Sequence, residues 1–345
     1  MITGRGLVCD DLARRGLDVL PYDRQATTLG QAGLAPFIDF DPDLLITDTI
    51  SFIRAPEGLI LREFWQMARQ RRIPSLAYMD CWWGYEPRFK LPSEAAIPVL
   101  PDSIGVVDRY AAEDFVELGF APEKMAVLGC PRFQKLSEAG AGNDSSAQAL
   151  RKAALGLSPE DFQLIFVSQP LEKVFGGEEE YGFTEKSTLR ALLTLLDNIQ
   201  KKRRSAISIT ILLHPEERQE DLQEIVNSLG RGLTIRFLRA KDPIPLLLAA
   251  DLVCGMFSIM LAEAAILQRP VLSVQLNLQR EEILVTNRIG ATLMVREQES
   301  LATELTKLIN QPEYCRQLLH NQKKFQVVQD SIERWSDCLE KMLNS

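Results

Sequence analysis

AADLVCGMFSIMLAEAAILQRPVLSV, residues Ala249 to Val274, decides how this chain is read. Asp251–Gly255 and Pro270–Val274 are continuous apolar runs of strand length, and the stretch from about Ser258 to Gln268 between them carries the composition of a helix. Two buried strands joined by a helix of about three turns form a right-handed βαβ unit of a parallel sheet. In such a sheet the turn that leaves a strand at its carboxyl end and enters the next helix is where ligands bind. Ser258 suits the N-cap of that helix, and no Asp or Glu follows in the first turn to complete a capping box. The first-turn N–H groups and the positive helix end are left to meet an outside anion such as a diphosphate. Glu263 lies inside SIMLAEAAIL, the most apolar helix of the chain. A carboxylate in those surroundings needs donors, and a ribose diol supplies two. The alternative is a plain N-cap and a helix-edge glutamate in water.

Composition narrows the classes open to the chain. At 345 residues, 46% hydrophobic and 25% charged, it is an ordinary globular sequence long enough for two domains. The net charge of -8 argues against a nucleic-acid groove or an anionic membrane surface as partner. Cys9, Cys81, Cys130, Cys254, Cys315 and Cys338 are scattered, with no CxxC and no metal-ligand spacing, so they read as reduced thiols of a cytoplasmic protein. His214 and His320 are the only histidines, which removes a His-built metal site or triad. No signal peptide stands out, and no apolar run reaches the roughly 18 residues of a membrane span.

Strands alternate with helices along the whole chain, so the expected class is α/β with doubly wound parallel sheets. Residues 1–135 form a first Rossmann-like domain that starts abruptly, with strand residues Met1–Gly4, a helix over Leu7–Arg15 and a strand over Leu17–Tyr22. That start makes the domain look truncated at its N-terminus. SEAGAGNDSS, Ser137–Ser146, is small and polar and reads as the boundary, within a linker over 136–158. Residues 159–325 form a second domain that contains the βαβ unit above. The amphipathic segment over 326–345, with SIERWSDCLEKML, is expected to pack back on the first domain.

Several strand ends carry candidate chemistry. His214 follows the strand ITILL and precedes Pro215, which forces the chain out of the sheet. The alternative role for His214 is structural, bonded to a backbone group. Ser168 and Gln169 end another strand of the second domain ahead of Pro170. The polar loop after them, with Gly176, Gly177, Tyr181 and Gly182, reads either as a mobile cover for a ligand or as an ordinary acidic surface loop. In the first domain Asp80-Cys81-Trp82-Trp83-Gly84-Tyr85 follows a strand directly. Two adjacent tryptophans do not face one core together, so one is expected to line a pocket or a surface, with Asp80 placed to accept a proton from a hydroxyl. Equally, the pair packs against the C-terminal helix and Asp80 caps the turn. Thr47, Asp48 and Thr49 end a further strand; Arg54, Glu57 and Arg62 read as surface charges, and Lys201–Arg204 as a solvated helix cap. Arg132 is either a phosphate contact or, preferably, a salt bridge at the hinge.

ITILLHPEE (Ile209–Glu217) and ADLVCGMFSIMLAEAAILQRPVLSV (Ala250–Val274) resemble segments of the GT-B fold. That fold is shared by sugar-nucleotide glycosyltransferases and UDP-N-acetylglucosamine 2-epimerases. PSLAYMDCWWGYEPRF (Pro74–Phe89) and GCPRF (Gly129–Phe133) are similar to a bacterial branch tied to surface polysaccharides. The resemblance spans nearly the whole chain. It implies a UDP- or similar nucleotide-sugar as substrate, with no cofactor and no metal, and a glycan or lipid-linked acceptor. By the same resemblance the diphosphate meets Gly255, Phe257, Ser258 and Ile259, with His214 on a phosphate oxygen. Ser168 and Gln169 line the site, Glu263 holds the ribose, and Asp80 and His214 are the catalytic candidates. A 2-epimerase and a non-catalytic nucleotide-sugar binder remain as alternatives.

Overall fold

The computed structural model describes residues 2–4, 14, 16, 19–21 and 27–344, without 54, 143 and 175. The helix expected over Leu7–Arg15 falls almost wholly outside these residues, as do Cys9 and Arg54. The chain divides into two compact units, one made of Met1–Pro131 with Val328–Ser345 and the other of Arg132–Val327.

Unit 1 holds the short parallel pair β1 (Ile2–Gly4) and β2 (Val19–Pro21) and a four-stranded parallel sheet. That sheet runs in the order β3 (Leu45–Thr47), β4 (Ser75–Met79), β5 (Ser103–Val106), β6 (Met125–Val127). Leu76, Leu128 and Met342 form one buried cluster, and Trp335, Cys338 and Leu339 from the helix Ser331–Leu343 pack against it. The Trp335 ring also meets Tyr78 edge-on, with centroids 4.9 Å apart. The last helix is therefore part of the core of unit 1. A second cluster joins Phe37 of the helix Gly30–Phe40 to Ile60, Phe64 and Met67 of the helix Ile60–Arg71. The period of those three residues is the helical one that buries a single face.

Unit 2 is a six-stranded all-parallel sheet in the order β12 (Leu293–Val295), β11 (Val271–Val274), β10 (Leu252–Gly255), β7 (Phe162–Val167), β8 (Ile207–Leu212), β9 (Thr234–Leu238). Numbered within the unit, this is the doubly wound order 6-5-4-1-2-3, and the direction in which successive strands are added reverses between β7 and β10. ISITIL of β8 and LVCG of β10 are buried at every position, as strands covered on both faces must be. The amino ends of β7 and β10 are pinned by an ion pair between the buried Lys152 and the half-buried Asp251. Lys152 Nζ donates to Asp251 Oδ2 at 2.6 Å and to the Asp161 carbonyl at 2.9 Å, while Asp251 also accepts from the Gln163 N–H at 2.7 Å.

Ser137–Ser146 is mostly helical. The helix Pro131–Ala141 runs into it, and Asp144 caps the next helix, Ser145–Ala154, by accepting from the Ala147 N–H at 2.8 Å. Its small residues serve packing: a Cβ on Gly140 would sit 2.8 Å from Leu267 Cα, so only glycine lets the helix end approach the Ile266–Leu267 turn. Two charges expected on the surface are engaged. Arg62 holds Glu94 bidentately at 2.8 and 2.6 Å and donates to the Phe89 carbonyl. Arg203 donates to the Ile309 carbonyl and Asn310 Oδ1 at 3.0 and 2.8 Å, closing the C-terminus of the helix Gln298–Asn310.

Candidate functional site

The carboxyl ends of β7 and β10 are adjacent, and the chain leaves them in opposite directions. Gly255 ends β10, and a Cβ there would lie 3.0 Å from the Val167 carbonyl oxygen, so the close strand contact selects glycine. After it the chain turns through Met256 and Phe257 to Ser258, whose Oγ accepts from the Met260 N–H at 3.3 Å. Ser258 is in extended conformation, and the helix Ile259–Ile266 begins behind it without an acidic residue in the first turn. Ser258, Ile259 and Met260 are only half-buried, so this helix end faces solvent.

The turn is held from both sides. Gln169 Oε1, from the end of β7, accepts from the Phe257 N–H at 3.1 Å, so the glutamine fixes the turn and that amide is occupied. On the other side, Ser273 Oγ donates to the Met256 carbonyl at 2.5 Å and Gln275 Nε2 reaches the same oxygen at 3.3 Å. Asn287 Nδ2 donates to Ser273 Oγ at 2.9 Å. Glu282 gathers the set, accepting from Gln275, Asn287 and the Leu284 N–H at 2.7, 3.1 and 2.7 Å. Burial lifts the Glu282 carboxyl above the ordinary glutamate range. A network this well satisfied makes the turn rigid.

Ser168 is buried and donates to Glu217 Oε1 at 2.6 Å. Glu217 Oε2 accepts from the His214 N–H at 2.8 Å, so the carboxylate ties the end of β7 to the turn after β8. In the sequence Glu217 stands out only as part of the ITILLHPEE motif; its burial, which raises its pKa, marks it as the organising group of this corner. Its signal in the sequence was the capping-box-like spacing from His214. The His214 ring is exposed, and its Nδ1 accepts from the Glu216 N–H at 3.2 Å. In the neutral ring that bond leaves Nε2 as the donor nitrogen.

The loop after Gln169 is folded down. Tyr181 stacks on Phe257 with centroids 5.2 Å apart, Phe183 meets Phe257 edge-on at 6.2 Å, and both loop aromatics are buried. Arg280 lies over Tyr181 at 4.9 Å and pairs with Glu180. The aromatic expected to close on a ligand is thus spent on packing the turn.

Glu263 sits further along the helix, 6% exposed. Its donors come from Arg132: Nε lies 2.6 Å from Oε1 and Nη2 3.1 Å from Oε2. Arg132 thus bonds a helix residue of its own unit, so the salt bridge expected to tie the hinge lies within unit 2 instead. Ser168, Gln169, His214, Gly255, Phe257, Ser258 and Ile259 share one sheet edge; Glu263 belongs to the same βαβ unit, and Asp80 belongs to unit 1.

In unit 1, Asp80 is exposed at the carboxyl end of β4. The two tryptophans separate as their adjacency requires. Trp82 is buried and donates from Nε1 to Asp108 Oδ2 at 2.7 Å, whereas Trp83 is half-exposed. Asp108 also caps the helix Arg109–Glu117 by accepting from the Ala111 N–H at 2.9 Å, and burial raises its pKa. Cys81 is pushed up to about 11, first by burial, against the lowering influence of Arg88 and with a further rise from Asp80. Arg88 donates to the Thr49 carbonyl and to Cys81 Sγ, so Thr49 is a buried anchor for this turn. Thr47 Oγ1 accepts from Trp65 Nε1 at 3.0 Å. Among the described residues no group of His, Cys, Asp and Glu could hold a metal ion, and no helix is long and apolar enough to cross a membrane.

The sequence matches no family model and no curated protein. Solved structures match over almost the full chain. HepE of Anabaena in complex with UDP is 14% identical with a TM-score of 0.63, over 99% of this chain and 90% of that one. The UDP-GlcNAc 2-epimerase of Neisseria meningitidis, bound to UDP-GlcNAc, is 15% identical with a TM-score of 0.60, over 90% and 79%. A glycosyltransferase of Rickettsia africae is 12% identical with a TM-score of 0.63, over 98% and 88%. At these identities the likeness is one of architecture: two doubly wound units, each with a parallel sheet, give this chain the GT-B fold.

Proposed function

We propose that the chain is a nucleotide-sugar enzyme, a glycosyltransferase of GT-B type that uses a UDP-like donor in the synthesis of a polysaccharide or glycoconjugate. The observation that carries the reading is the rigid turn at the β7–β10 switch point, which ends in a solvent-facing helix N-terminus free of acidic side chains. Ser258 and the amides of Ile259 and Met260 would bind the diphosphate, and the Nε2–H of His214 would donate to a phosphate oxygen. Glu263 would hold the ribose. These groups supply fixed dipoles where the leaving diphosphate gains charge, so transfer needs no divalent ion to neutralise it. In the transfer step the acceptor oxygen bonds to the anomeric carbon and the bond from that carbon to the diphosphate oxygen breaks. The acceptor proton passes to a general base, the role expected of Asp80 from the sequence.

The test is calorimetry with UDP, GDP and CDP on the wild type and on Ser258→Asp. Aspartate is as good an N-cap as serine, so the variant should keep its thermal stability, while its charge repels a diphosphate. Binding of one nucleoside diphosphate to the wild type, lost in the variant, is the expected result. Retention of affinity in the variant would remove the diphosphate from this helix end. Incubating the sugar conjugate of the bound nucleotide, with and without acceptors, then separates a transferase from a 2-epimerase by product and from a pure binder by absence of turnover.

A further inference from the structure

Arg132 and Glu263 form the best-matched charge pair near the ligand turn, and the pair is asymmetric. The carboxylate side chain is 8% exposed and the guanidinium side chain 50%. The arginine therefore stands on the solvent side of a carboxylate that is otherwise enclosed by an apolar helix. The contact is two-pronged, with Nε on one carboxylate oxygen at 2.6 Å and Nη2 on the other at 3.1 Å. A vicinal diol offers a carboxylate the same thing: two adjacent donors, one for each oxygen. The guanidinium fork and the ribose diol are competing occupants of one acceptor.

The backbone fixes this competitor in place. Arg132 is the second residue of the helix Pro131–Ala141, and Gly140 in its last turn touches the backbone of Leu267 just past the helix Ile259–Ile266. One helix is anchored against the other at the Gly140 end, and its first turn delivers the guanidinium to Glu263.

We propose that Arg132 is an internal stand-in for the ribose: it occupies the Glu263 carboxylate in competition with a diol and must give up at least one of its two bonds to Glu263 when a nucleoside diphosphate binds. The proposal rests on the nucleotide reading above and adds its regulation. The site then charges every nucleotide the cost of parting the pair, and that cost falls on ligands with a diol alone. Pyrophosphate, which needs only the helix end, binds without disturbing Arg132.

The experiment is calorimetric titration of UDP, GDP, CDP and pyrophosphate into wild type, Arg132→Met and Arg132→Lys, with thermal unfolding run on each. Methionine fills the space of the arginine stem and donates nothing. Lysine keeps the charge but loses the fork. The expected result is that Arg132→Met binds the preferred nucleoside diphosphate about tenfold tighter than wild type, the worth of one hydrogen bond to a charged group, with pyrophosphate affinity unchanged. Arg132→Lys should fall between, and it carries the comparison if the methionine variant does not fold. Nucleotide affinity that is equal or weaker in the folded variants overturns the proposal. A parallel loss of pyrophosphate affinity would show that Arg132 holds phosphate instead. If neither wild type nor variants bind any of the three nucleotides, the nucleotide reading itself has failed and the proposal falls with it.

Discussion

Replacing Lys152 by methionine tests which end of the unit 2 sheet carries stability and which carries binding. Lys152 is 5% exposed, and its ammonium group is bonded to Asp251 and to the Asp161 carbonyl. Removing one partner of a buried pair costs about 3 to 5 kcal/mol, because the other charge is left uncompensated. Here Asp251 keeps two donors, the Gln163 N–H at 2.7 Å and Gln148 Nε2 at 2.9 Å, and methionine retains the packing of the lysine stem. Asp251 is also only half-buried, so the figure is at most the lower end of the range, about 3 kcal/mol. For a unit spanning Arg132–Val327 that is a fall of about 6–12 °C in the melting temperature of its transition. Circular dichroism through a thermal ramp gives the shift. Nucleotide affinity in the folded variant should stay at the wild-type value, since Asp251 precedes β10 and the ligand turn follows it. Adding Asp251→Asn should cost less in the Lys152→Met background than alone, because the stranded charge is gone. A loss below about 1 kcal/mol, or simple additivity of the two changes, would refute the claim that this pair holds the sheet.

Other outcomes follow from the same contacts. Burial raises Glu217 above its unfolded value, so its stabilising contribution is complete below the unfolded pKa and is lost as pH rises through the folded one. Glu217→Gln should flatten the decline of stability with pH from about pH 4 upward, where each such group contributes a slope of at most about 1.4 kcal/mol per pH unit. Glu185 and Glu282, also raised by burial, remain, so the slope shrinks without vanishing; an unchanged pH profile would contradict the assignment. Gly182→Ala adds a Cβ against the Asn277 carbonyl at a φ of 87°, and should loosen the aromatic loop by about 2 kcal/mol or more, read as faster amide exchange around Tyr181. Trp82→Phe removes the donor to Asp108 and should cost unit 1 about 1–3 kcal/mol in urea titration, while an equivalent change at the half-exposed Trp83 costs less.

The sheet of unit 2 was legible because its strands are short apolar runs set between helices of regular period, and because Gly255 and Pro270 punctuate the decisive segment. Ser258 was equally legible, since an N-cap is a local property of a few residues. Long-range pairings were not. Nothing in SIMLAEAAIL shows that Glu263 finds its donor 131 positions earlier in the chain, or that Gln169 accepts from the Phe257 amide 88 positions on. The polar run Ser137–Ser146 misled for a physical reason: alanine and glycine suit a loop by composition, yet also suit a helix end pressed against a neighbour, as Gly140 shows. The aromatics of the loop after β7 were visible, but whether Tyr181 faces a ligand or Phe257 depends on packing that periodicity does not encode.

The membership of the last helix has a consequence for biosynthesis. Unit 2 occupies one uninterrupted stretch of chain, whereas unit 1 is closed only by residues from Val328 onward. A ribosome therefore releases every residue of unit 2 before it releases Trp335, Leu339 and Met342, which cover the Leu76–Leu128 face of β4 and the segment after β6. The usual order, in which the N-terminal part folds first during synthesis, is inverted here. The unit whose strands emerge first must wait with an uncovered apolar face until the helix Ser331–Leu343 has been made, so a chain cut short before that helix would have a complete second unit and a first one prone to aggregate.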